Sequence, residues 1–338
     1  MRDEIRTGAE PRPAHGFVRA RPFRLGANRL IFDTLPHLVE VLKSRGYRFA
    51  APTPATHERV LARGPGRMAR TLTDMLGWSL AFEPGSVDAE VEALLDAAGA
   101  MQPCETGVRS RLRASTLDED CYLHSAFPTD DRDAVFFGPD SYRFARLIHA
   151  VLDRTPVRPA ARIVDIGTGS GVGGIVAARH APGASLTLTD VNARALGLAA
   201  VNAAGAGLSP ELREGSILAG YSDPIDLALA NPPYILDPQQ RTYRNGGDLH
   251  GAALSIDMTA AVLPQLAAGG RFILYTGSAI VGGSDRLAER LHALAERQRC
   301  TLDYDVIDID VFGEELERDA YRDVDRIAVV SAVFTRPD

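Results

Sequence analysis

The sequence predicts an α/β fold in which a doubly wound, mostly parallel sheet follows a smaller helical N-terminal domain. From Arg158 onward, short apolar segments such as "ARIVDIG", "SLTLTD" and "DLALA" alternate with helix-like segments. Apolar strands separated by helices are typical of a parallel sheet that is covered on both faces. Upstream, helix-like segments precede a single hairpin pattern. These observations divide the chain at about residue 128.

The N-terminal region predicts a flexible tail and a small accessory domain. Residues 1–22 are rich in charge, Pro and Gly, which is typical of a tail without a packed core. Helical spacing of four apolar residues predicts a helix that ends near Gly46: Leu35, Leu38, Val39 and Leu42. "PATHERVLAR", "RMARTLTDMLGW" and "SVDAEVEALLDAAGA" predict further short helices. "VRSRLRAST" and "CYLHSAF" flank a polar turn and predict a β-hairpin that completes an accessory domain, residues 23–127.

The elements of residues 128–338 follow in order. "GPDSYRFARLIHAVLD" predicts a helix with Ser141 or Asp140 as its cap. "GGIVAARHA", "ARALGLAAVNAAG" and residues 252–267 predict the helices that separate the strands, and "RFILYTG" predicts the next strand. "TLDYDVIDID" and "DRIAVVSAVFT" read as two strands with no helix between them. We therefore expect an antiparallel pair at the edge of the sheet.

Composition and charge argue against several functional classes. The net charge of -7 argues against a nucleic-acid partner, which needs a basic footprint. The cysteines Cys104, Cys121 and Cys300 are odd in number and widely spread, and the histidines lack ligand spacing, so no metal is expected. The first residues lack an apolar leader segment, and no run of about 18 apolar residues follows. We expect a cytoplasmic protein without a membrane segment.

A glycine-rich loop predicts a ligand site. "VDIGTGSGVGG" follows a strand and opens a helix, where glycines let the backbone approach a ligand and free N–H groups face it. Gly169, Gly171 and Gly174 satisfy GxGxxG, and Asp190 ends the next strand, where a carboxylate can accept hydrogen bonds from ribose hydroxyls. A dinucleotide is the first candidate ligand. Asp165, ahead of the glycines, and a later Asn-Pro-Pro-Tyr motif argue against it.

Taken together, "VDIGTGSG", "LTLTDVN" and "NPPYI" resemble the class I S-adenosylmethionine-dependent methyltransferases. More narrowly, residues 128–338 resemble the branch that methylates planar amino or amide nitrogens, including the release-factor glutamine methyltransferases. The resemblance implies seven strands, the last one antiparallel, and S-adenosyl-L-methionine as cofactor. It also implies a set of cofactor-binding residues: Asp165, Gly167, Thr168, Gly169, Gly171, Asp190, Val191, Asn192, Ser216 and Asn231.

Within this set, the resemblance implies individual roles. Asp165 would lie near the ammonium of the cofactor and Asp190 would bind its ribose hydroxyls, with Val191 and Asn192 beside the adenine. After the third strand the family often has an acidic residue, whereas this chain has Ser216. The adenine contact at that position is therefore open.

The Asn-Pro-Pro-Tyr motif predicts the catalytic residues Asn231, Pro232 and Tyr234. Prolines cannot donate to a sheet ladder, so the strand ends here with its geometry fixed. The Asn231 side-chain oxygen and the Pro232 carbonyl can each accept one N–H of a planar amino group and stabilise the charge that develops on it. Tyr234 can stack on the planar substrate. The alternative is a strand-terminating Asn with stiffening prolines.

The remaining candidates concern the substrate. The expected substrate-binding residues are Pro233, Tyr142, Phe137 and Tyr243, although aromatic residues on a helix are often core. The loop "YRNGGDLHGA" is a candidate lid, with Arg244 and His250 as further contacts, or else a solvated loop. Arg109, Arg111 and Arg113 are expected on an exposed strand face, with contact to an acidic partner as the alternative.

The leading hypothesis is an N-methyltransferase that acts on a protein side chain or a small metabolite. Three alternatives stay open. The bound cofactor could instead cyclise to a cyclic amino acid and methylthioadenosine, the acceptor could be an RNA base, or the chain could be a non-catalytic subunit. The sequence does not determine the oligomeric state. Incubation with S-adenosylmethionine, with and without cell extract, distinguishes transfer from cyclisation by the product.

Overall fold

The computed structural model describes residues 21–22, 29–237, 239 and 241–338. The predicted tail therefore lies outside the described residues up to residue 20. The helices are α1 (Arg29–Ser44), α2 (Pro54–Leu61), α3 (Ala89–Ala97), α4 (Pro139–Arg154), α5 (Val172–His180), α6 (Ala193–Gly205), α7 (Ala253–Val262) and α8 (Arg286–Gln298). The strands are β1 (Arg21–Pro22), β2 (Met101–Cys104), β3 (Gly107–Ser110), β4 (Leu112–Leu117), β5 (Asp120–Ser125), β6 (Arg162–Ile166), β7 (Ser185–Asp190), β8 (Glu211–Glu214), β9 (Ile225–Ala230), β10 (Leu266–Val281), β11 (Ser284–Asp285), β12 (Thr301–Asp308) and β13 (Arg326–Thr335).

The central sheet confirms the doubly wound prediction. Its principal strands lie in the order β8-β7-β6-β9-β10-β13-β12, and the two-residue strands β1 and β11 pair with β8 and β10. Strands β8, β7, β6, β9 and β10 are parallel, whereas β13 runs antiparallel to both β10 and β12. The order of the strands reverses between β6 and β9. In open α/β sheets, ligands bind at such a switch point, outside the carboxyl ends of the strands.

Both faces of the sheet are buried, as the apolar strands predict. Side chains alternate between the faces along β6. Ile163 packs into the layer that contains α4, α5 and α6, and Val164 and Ile166 pack into the layer that contains α7 and α8. Within the described ranges, none of the helices combines the length and the apolar character that crossing a membrane requires.

The N-terminal helices and the hairpin β4–β5 share a core with the sheet layer of α6. Leu38 and Leu42 of α1 belong to the same buried cluster as Leu196 and Leu198 of α6. The buried Asn202 side chain accepts a hydrogen bond from Leu123 N–H at 2.8 Å and donates to the Leu123 carbonyl at 3.0 Å. The predicted accessory unit is therefore joined to the sheet by apolar and polar contacts, while its boundaries at residues 23 and 127 stay a prediction.

The structure differs from the sequence analysis in three places. The segment "RMARTLTDMLGW" forms only a five-residue π-helical turn, Thr73–Gly77, because Asp74 accepts the N–H groups of Arg70 and Thr71 and caps a short turn. The helix α8 and the hairpin β2–β3 were not predicted. Arg113 is not on an exposed face: it is 5% exposed and its Nε donates to the Gly77 carbonyl.

Candidate active site

A cavity of about 940 Å³ lies at the carboxyl ends of β6, β7 and β9. This volume is near the upper end of the range for small-molecule sites, about 300–1,000 Å³. Its wall combines the glycine turn after β6, the residues after β7, the Asn-Pro-Pro-Tyr segment after β9, the start of α4 and part of α7. The motifs that the sequence analysis identified separately are thus brought together around one space.

The Asp165 carboxylate stabilises the conformation of the glycine turn through two hydrogen bonds. Its Oδ2 atom accepts a hydrogen bond from the Thr168 hydroxyl at 2.6 Å and another from Gly174 N–H at 2.8 Å. Gly169, between these two anchors, has a φ of +56°, and a Cβ added there would meet nothing within 4 Å. A glycine is needed at this position for its conformation, not for space. The backbone of the turn consequently faces the cavity without a side chain in the way.

Burial makes Asp165 a poor site for an uncompensated charge. Its side chain is 2% exposed. Burial, with a smaller contribution from the carboxyl of Asp190, raises the pKa of Asp165 to about 6 against the hydrogen bonds from Thr168 and Gly174. A cationic group entering the cavity would favour the ionised carboxylate.

Asp190 and its neighbours form a second part of the wall. The Asp190 carboxylate accepts hydrogen bonds from Gly169 N–H at 3.0 Å and from Asn192 N–H at 2.8 Å. Burial raises the pKa of Asp190 above its ordinary value. Val191 lines the cavity and is 49% exposed, which is high for an apolar side chain. Asn192 caps α6, and Ser216 lies on the same wall. This side offers an acceptor for hydroxyls next to an apolar surface for a flat base.

The Asn-Pro-Pro-Tyr segment lies opposite, held by a close backbone contact. Asn231, Pro232 and Pro233 line the cavity, and among the described residues no hydrogen-bond partner of the Asn231 side chain is found. Gly246 N–H donates to the Ile235 carbonyl at 2.8 Å. A Cβ on Gly246 would lie 2.6 Å from the Pro233 carbonyl oxygen, so only glycine permits this approach. The segment is therefore rigid while its amide stays available.

Tyr234 fixes the Asn-Pro-Pro-Tyr segment in place, and little of its own surface is exposed. Its hydroxyl donates to Asp140 Oδ2 at 2.7 Å, and the residue is 7% exposed. Its ring packs on Gly277, where a Cβ would lie 2.1 Å from Tyr234 Cδ2, and lies 5.8 Å from the Phe312 ring. Tyr234 lines the cavity, so its stacking on a substrate stays a prediction.

Two of the expected substrate contacts are not in the cavity wall. Phe137 is buried, with its ring stacked 5.3 Å from His124, and the Tyr142 hydroxyl accepts a hydrogen bond from Ala51 N–H at 3.0 Å. The preceding residue, Phe136, lines the cavity instead. Adjacent residues in an extended segment point to opposite sides, and no sequence signal shows which of two phenylalanines points inward.

The glycine-rich loop contributes one aromatic side chain and two paired arginines. Tyr243 lines the cavity, and its ring stacks on that of Phe136 with the ring centroids 5.8 Å apart and an angle of 7° between the ring planes. Arg241 and Arg244 also line it, and each is paired with a carboxylate: Arg241 Nε donates to Asp237 at 2.8 Å, and Arg244 pairs with Glu315, which Arg318 also contacts. His250 is not in the cavity wall and lies 3.1 Å from Asp323.

Several residues that line the cavity were not predicted from the sequence: Phe136, Phe144, Asp257 and Phe312. Asp140 was predicted only as a possible helix cap, whereas it also lines the cavity. The alternation and capping patterns do not distinguish these roles, because the cavity is assembled from segments far apart in the chain.

Comparison with known proteins finds similarity to methyltransferases. The family model "methyltransferase small domain" matches residues 145–249. A release factor glutamine methyltransferase of Deinococcus radiodurans is 40% identical over 89 residues, which are 26% of this chain and only 32% of that protein. One of Cereibacter sphaeroides is 29% identical over 267 residues, covering 69% of this chain and 86% of that protein. A crystal structure of M. jannaschii TYW2 in complex with AdoMet aligns with a TM-score of 0.45 at 15% identity, over 68% of this chain and 90% of that one.

Proposed function

We propose that this chain, a class I S-adenosylmethionine-dependent methyltransferase that resembles the release-factor glutamine methyltransferases, methylates the amide nitrogen of a glutamine side chain in a protein. The observation that carries the proposal is the position of Asn231. Asn231 and Pro232 line the cavity whose wall also contains the glycine turn and Asp190. This position supports a role of the Asn231 side-chain oxygen and the Pro232 carbonyl as two acceptors for one planar NH2 group beside the cofactor.

The chain's own residues fit S-adenosylmethionine on one wall. Asp165, with its buried carboxylate, suits the ammonium of an amino acid, and the open backbone at Gly169 permits close approach. Asp190 suits the ribose hydroxyls, and the exposed Val191 suits the adenine ring. When bound, the cofactor supplies a methyl group that is already activated by a sulfonium.

The task left to the protein is to orient a poor nucleophile. The lone pair of an amide nitrogen is delocalised, so the nitrogen must be held in line with the methyl group in a near-attack pose. The Asn231 side-chain oxygen and the Pro232 carbonyl each accept one N–H of the acceptor. Both acceptors stabilise the positive charge that develops on the nitrogen. The nitrogen then loses one proton to water, so no strong general base is required.

The charges at the cavity favour a protein acceptor over a nucleic acid. Arg241 already pairs with Asp237, and Arg244 pairs with Glu315, a carboxylate that Arg318 also contacts, so neither of these two arginines is unpaired. The net charge of -7 acts in the same direction. The two relatives described above act, by their names, on a release-factor glutamine. We therefore infer a bacterial release factor as the acceptor to test first.

The test is methyl transfer to a release factor purified from cells that lack their own glutamine methyltransferase. We expect a mass gain of one methyl group on a single glutamine, located by peptide fragmentation. Asn231→Ala should leave cofactor affinity nearly intact, because Asp165, the glycine turn and Asp190 would supply most of the cofactor contacts, and should lower turnover by roughly 10²- to 10³-fold. Asn231→Asp keeps an acceptor and should retain more activity than the Ala variant. A folded, cofactor-binding Ala variant with normal turnover would end the catalytic role of Asn231.

The same incubation decides between the alternatives. Methylthioadenosine formed from the cofactor alone would indicate cyclisation, and cofactor binding without any product would indicate a non-catalytic subunit. A methylated small molecule in cell extract, with the release factor unmodified, would replace the protein acceptor by a metabolite.

A further inference from the structure

The carboxylate of Asp140 is the point where three separate chain segments meet. Its Oδ2 atom accepts the hydroxyl of Tyr234 at 2.7 Å, and its Oδ1 atom accepts the hydroxyl of Tyr275 at 2.8 Å. Arg143, one helical turn further along α4, donates to Oδ1 at 3.3 Å. A single side chain thus connects the start of α4, the Asn-Pro-Pro-Tyr segment and strand β10.

The helix itself does not need this carboxylate as its cap. An acidic side chain in the first turn usually serves the free N–H groups of the helix. Here the Ser141 hydroxyl accepts the N–H of the N-cap residue Gly138 at 3.3 Å, and the hydrogen bonds found for the Asp140 carboxylate among the described residues all come from side chains. The Asp140 side chain is turned toward the cavity wall and the two tyrosines. Its contacts therefore serve the site.

The two tyrosines are suited to be permanent donors. Burial, followed by the charge of Asp140, raises the pKa of both Tyr234 and Tyr275 above the ordinary value. Each hydroxyl remains protonated and donates, while an ionised carboxylate only accepts. Hydrogen bonds to a charged acceptor contribute more than neutral ones. Tyr234 is thus held at its hydroxyl by Asp140 and at its ring by Gly277.

We propose that Asp140 is a positioning residue for methyl transfer, which acts by holding Tyr234 and thereby orienting the acceptor oxygens of Asn231 and Pro232. This inference rests on the proposed function, because it concerns the motif that binds the acceptor. Two consecutive prolines leave the backbone between Tyr234 and Asn231 little freedom. A rotation of Tyr234 is consequently transmitted to the Asn231 amide.

A salt bridge from Arg143 connects this group of contacts to β12 at the edge of the sheet. Arg143 donates to Asp308, the last residue of β12, at 3.0 Å. Phe312, which follows shortly after, contacts the Tyr234 ring from the other side. The Asn-Pro-Pro-Tyr motif is therefore enclosed by α4, β10 and the segment after β12. Asp140 is the charged group that joins the motif to α4 and to β10.

A double-mutant cycle on turnover tests the inference. Asp140→Asn and Tyr234→Phe each remove the charged hydrogen bond, and each should lower turnover about 10- to 100-fold, since a displacement near 1 Å can cost about 10²-fold. The double variant should be no slower than Asp140→Asn, because that change already removes the charge from the contact that Tyr234→Phe breaks, in addition to its effect at Tyr275 and Arg143. Losses that multiply would mean that Asp140 acts on the substrate directly, and would overturn the positioning role.

Tyr304→Phe is the matched control. The Tyr304 hydroxyl donates to Asp285 Oδ2 at 2.7 Å, the same chemistry and distance, but Tyr304 does not line the cavity. This variant should lose stability and keep the specific activity of its folded fraction. If Asp140→Asn behaves in the same way, with a lower melting temperature but unchanged turnover of the folded fraction, the positioning role is refuted.

A measurement without any acceptor separates this inference from the proposed function. Hydrogen exchange of the amides of residues 234–237, followed by mass spectrometry, should be faster in Asp140→Asn and unchanged in Tyr304→Phe. Affinity for S-adenosylmethionine, measured by calorimetry, should change less than threefold in both. If no glutamine is methylated by the wild type, the proposed function fails, and exchange still decides the role of Asp140. Unchanged exchange at residues 234–237 would overturn it.

Discussion

Replacement of Asp165 by Asn should make the protein less sensitive to pH and less able to bind its cofactor. The Asn side chain keeps an oxygen that can accept the hydrogen bonds from Thr168 and Gly174, and it removes the charge. The charge is the costly feature, because burial raises the pKa of Asp165 from 3.8 to about 6. Comparison of the wild type with the Asp165→Asn variant, in otherwise identical chains, therefore isolates one ionisation.

The sign and size of the effect on stability follow from that pKa. The folded protein binds the proton of Asp165 more tightly than the unfolded chain does, so the stabilisation is fully present below about pH 3.8 and is lost as the pH rises to about 6. The whole span corresponds to about 3 kcal/mol at about 1.4 kcal/mol for each pKa unit. Between about pH 5 and pH 7.5 the unfolding free energy of the wild type should fall by about 1.4 kcal/mol relative to Asp165→Asn.

Cofactor affinity should change in the opposite direction. The ammonium of S-adenosylmethionine favours the ionised carboxylate, so wild-type affinity should rise about tenfold from about pH 5 to pH 7.5. The Asn variant should bind more weakly and lose most of this dependence; Asp190, whose pKa is also raised by burial, accounts for what remains. Urea unfolding and calorimetry over the same pH series provide both quantities. If the difference in unfolding free energy is constant over this range, the ionisation of Asp165 is not perturbed by its site.

Three further predictions concern the cofactor wall, the packing of the motif and the aromatic pair at the start of α4. Asp190→Ala should weaken cofactor binding by about 1.5–3 kcal/mol in calorimetry, because the ribose hydroxyls lose a charged acceptor; unchanged affinity would reject that contact. Gly277→Ala should cost about 1–3 kcal/mol in unfolding experiments, since the added Cβ would lie 2.1 Å from Tyr234 Cδ2, and a neutral change would mean that the ring moves freely. Phe136→Leu should raise the KM for the cofactor or acceptor with little change in melting temperature, whereas Phe137→Leu should lower the melting temperature and leave KM unchanged; the reverse pattern would restore Phe137 as the ligand contact.

Local sequence patterns were sufficient for the parts of the protein that depend on neighbouring residues. The glycine turn is recognisable because its conformation is set within a few residues, as the positive φ of Gly169 illustrates. The end of β9 at Asn231 follows from two prolines that cannot join a ladder. The parallel strands follow from runs that are apolar on both faces. The antiparallel strand β13 was implied by the family resemblance and by the absence of a helix after β12.

Contacts between distant residues decided the rest. Asp140 is 94 positions from Tyr234 and 135 from Tyr275, so no local pattern distinguishes its role from that of a cap. Phe136 and Phe137 have the same chemistry, and only the direction of α4 relative to the sheet determines which one lines the cavity. Arg113 is buried because the π-helical turn at Gly77 offers it a carbonyl, which its charge alone does not predict. The sequence by itself determines which chemical groups are present and how each segment folds locally. Which of these groups come into contact depends on packing across the sheet. That packing is the sum of many contacts between segments that are far apart in the chain.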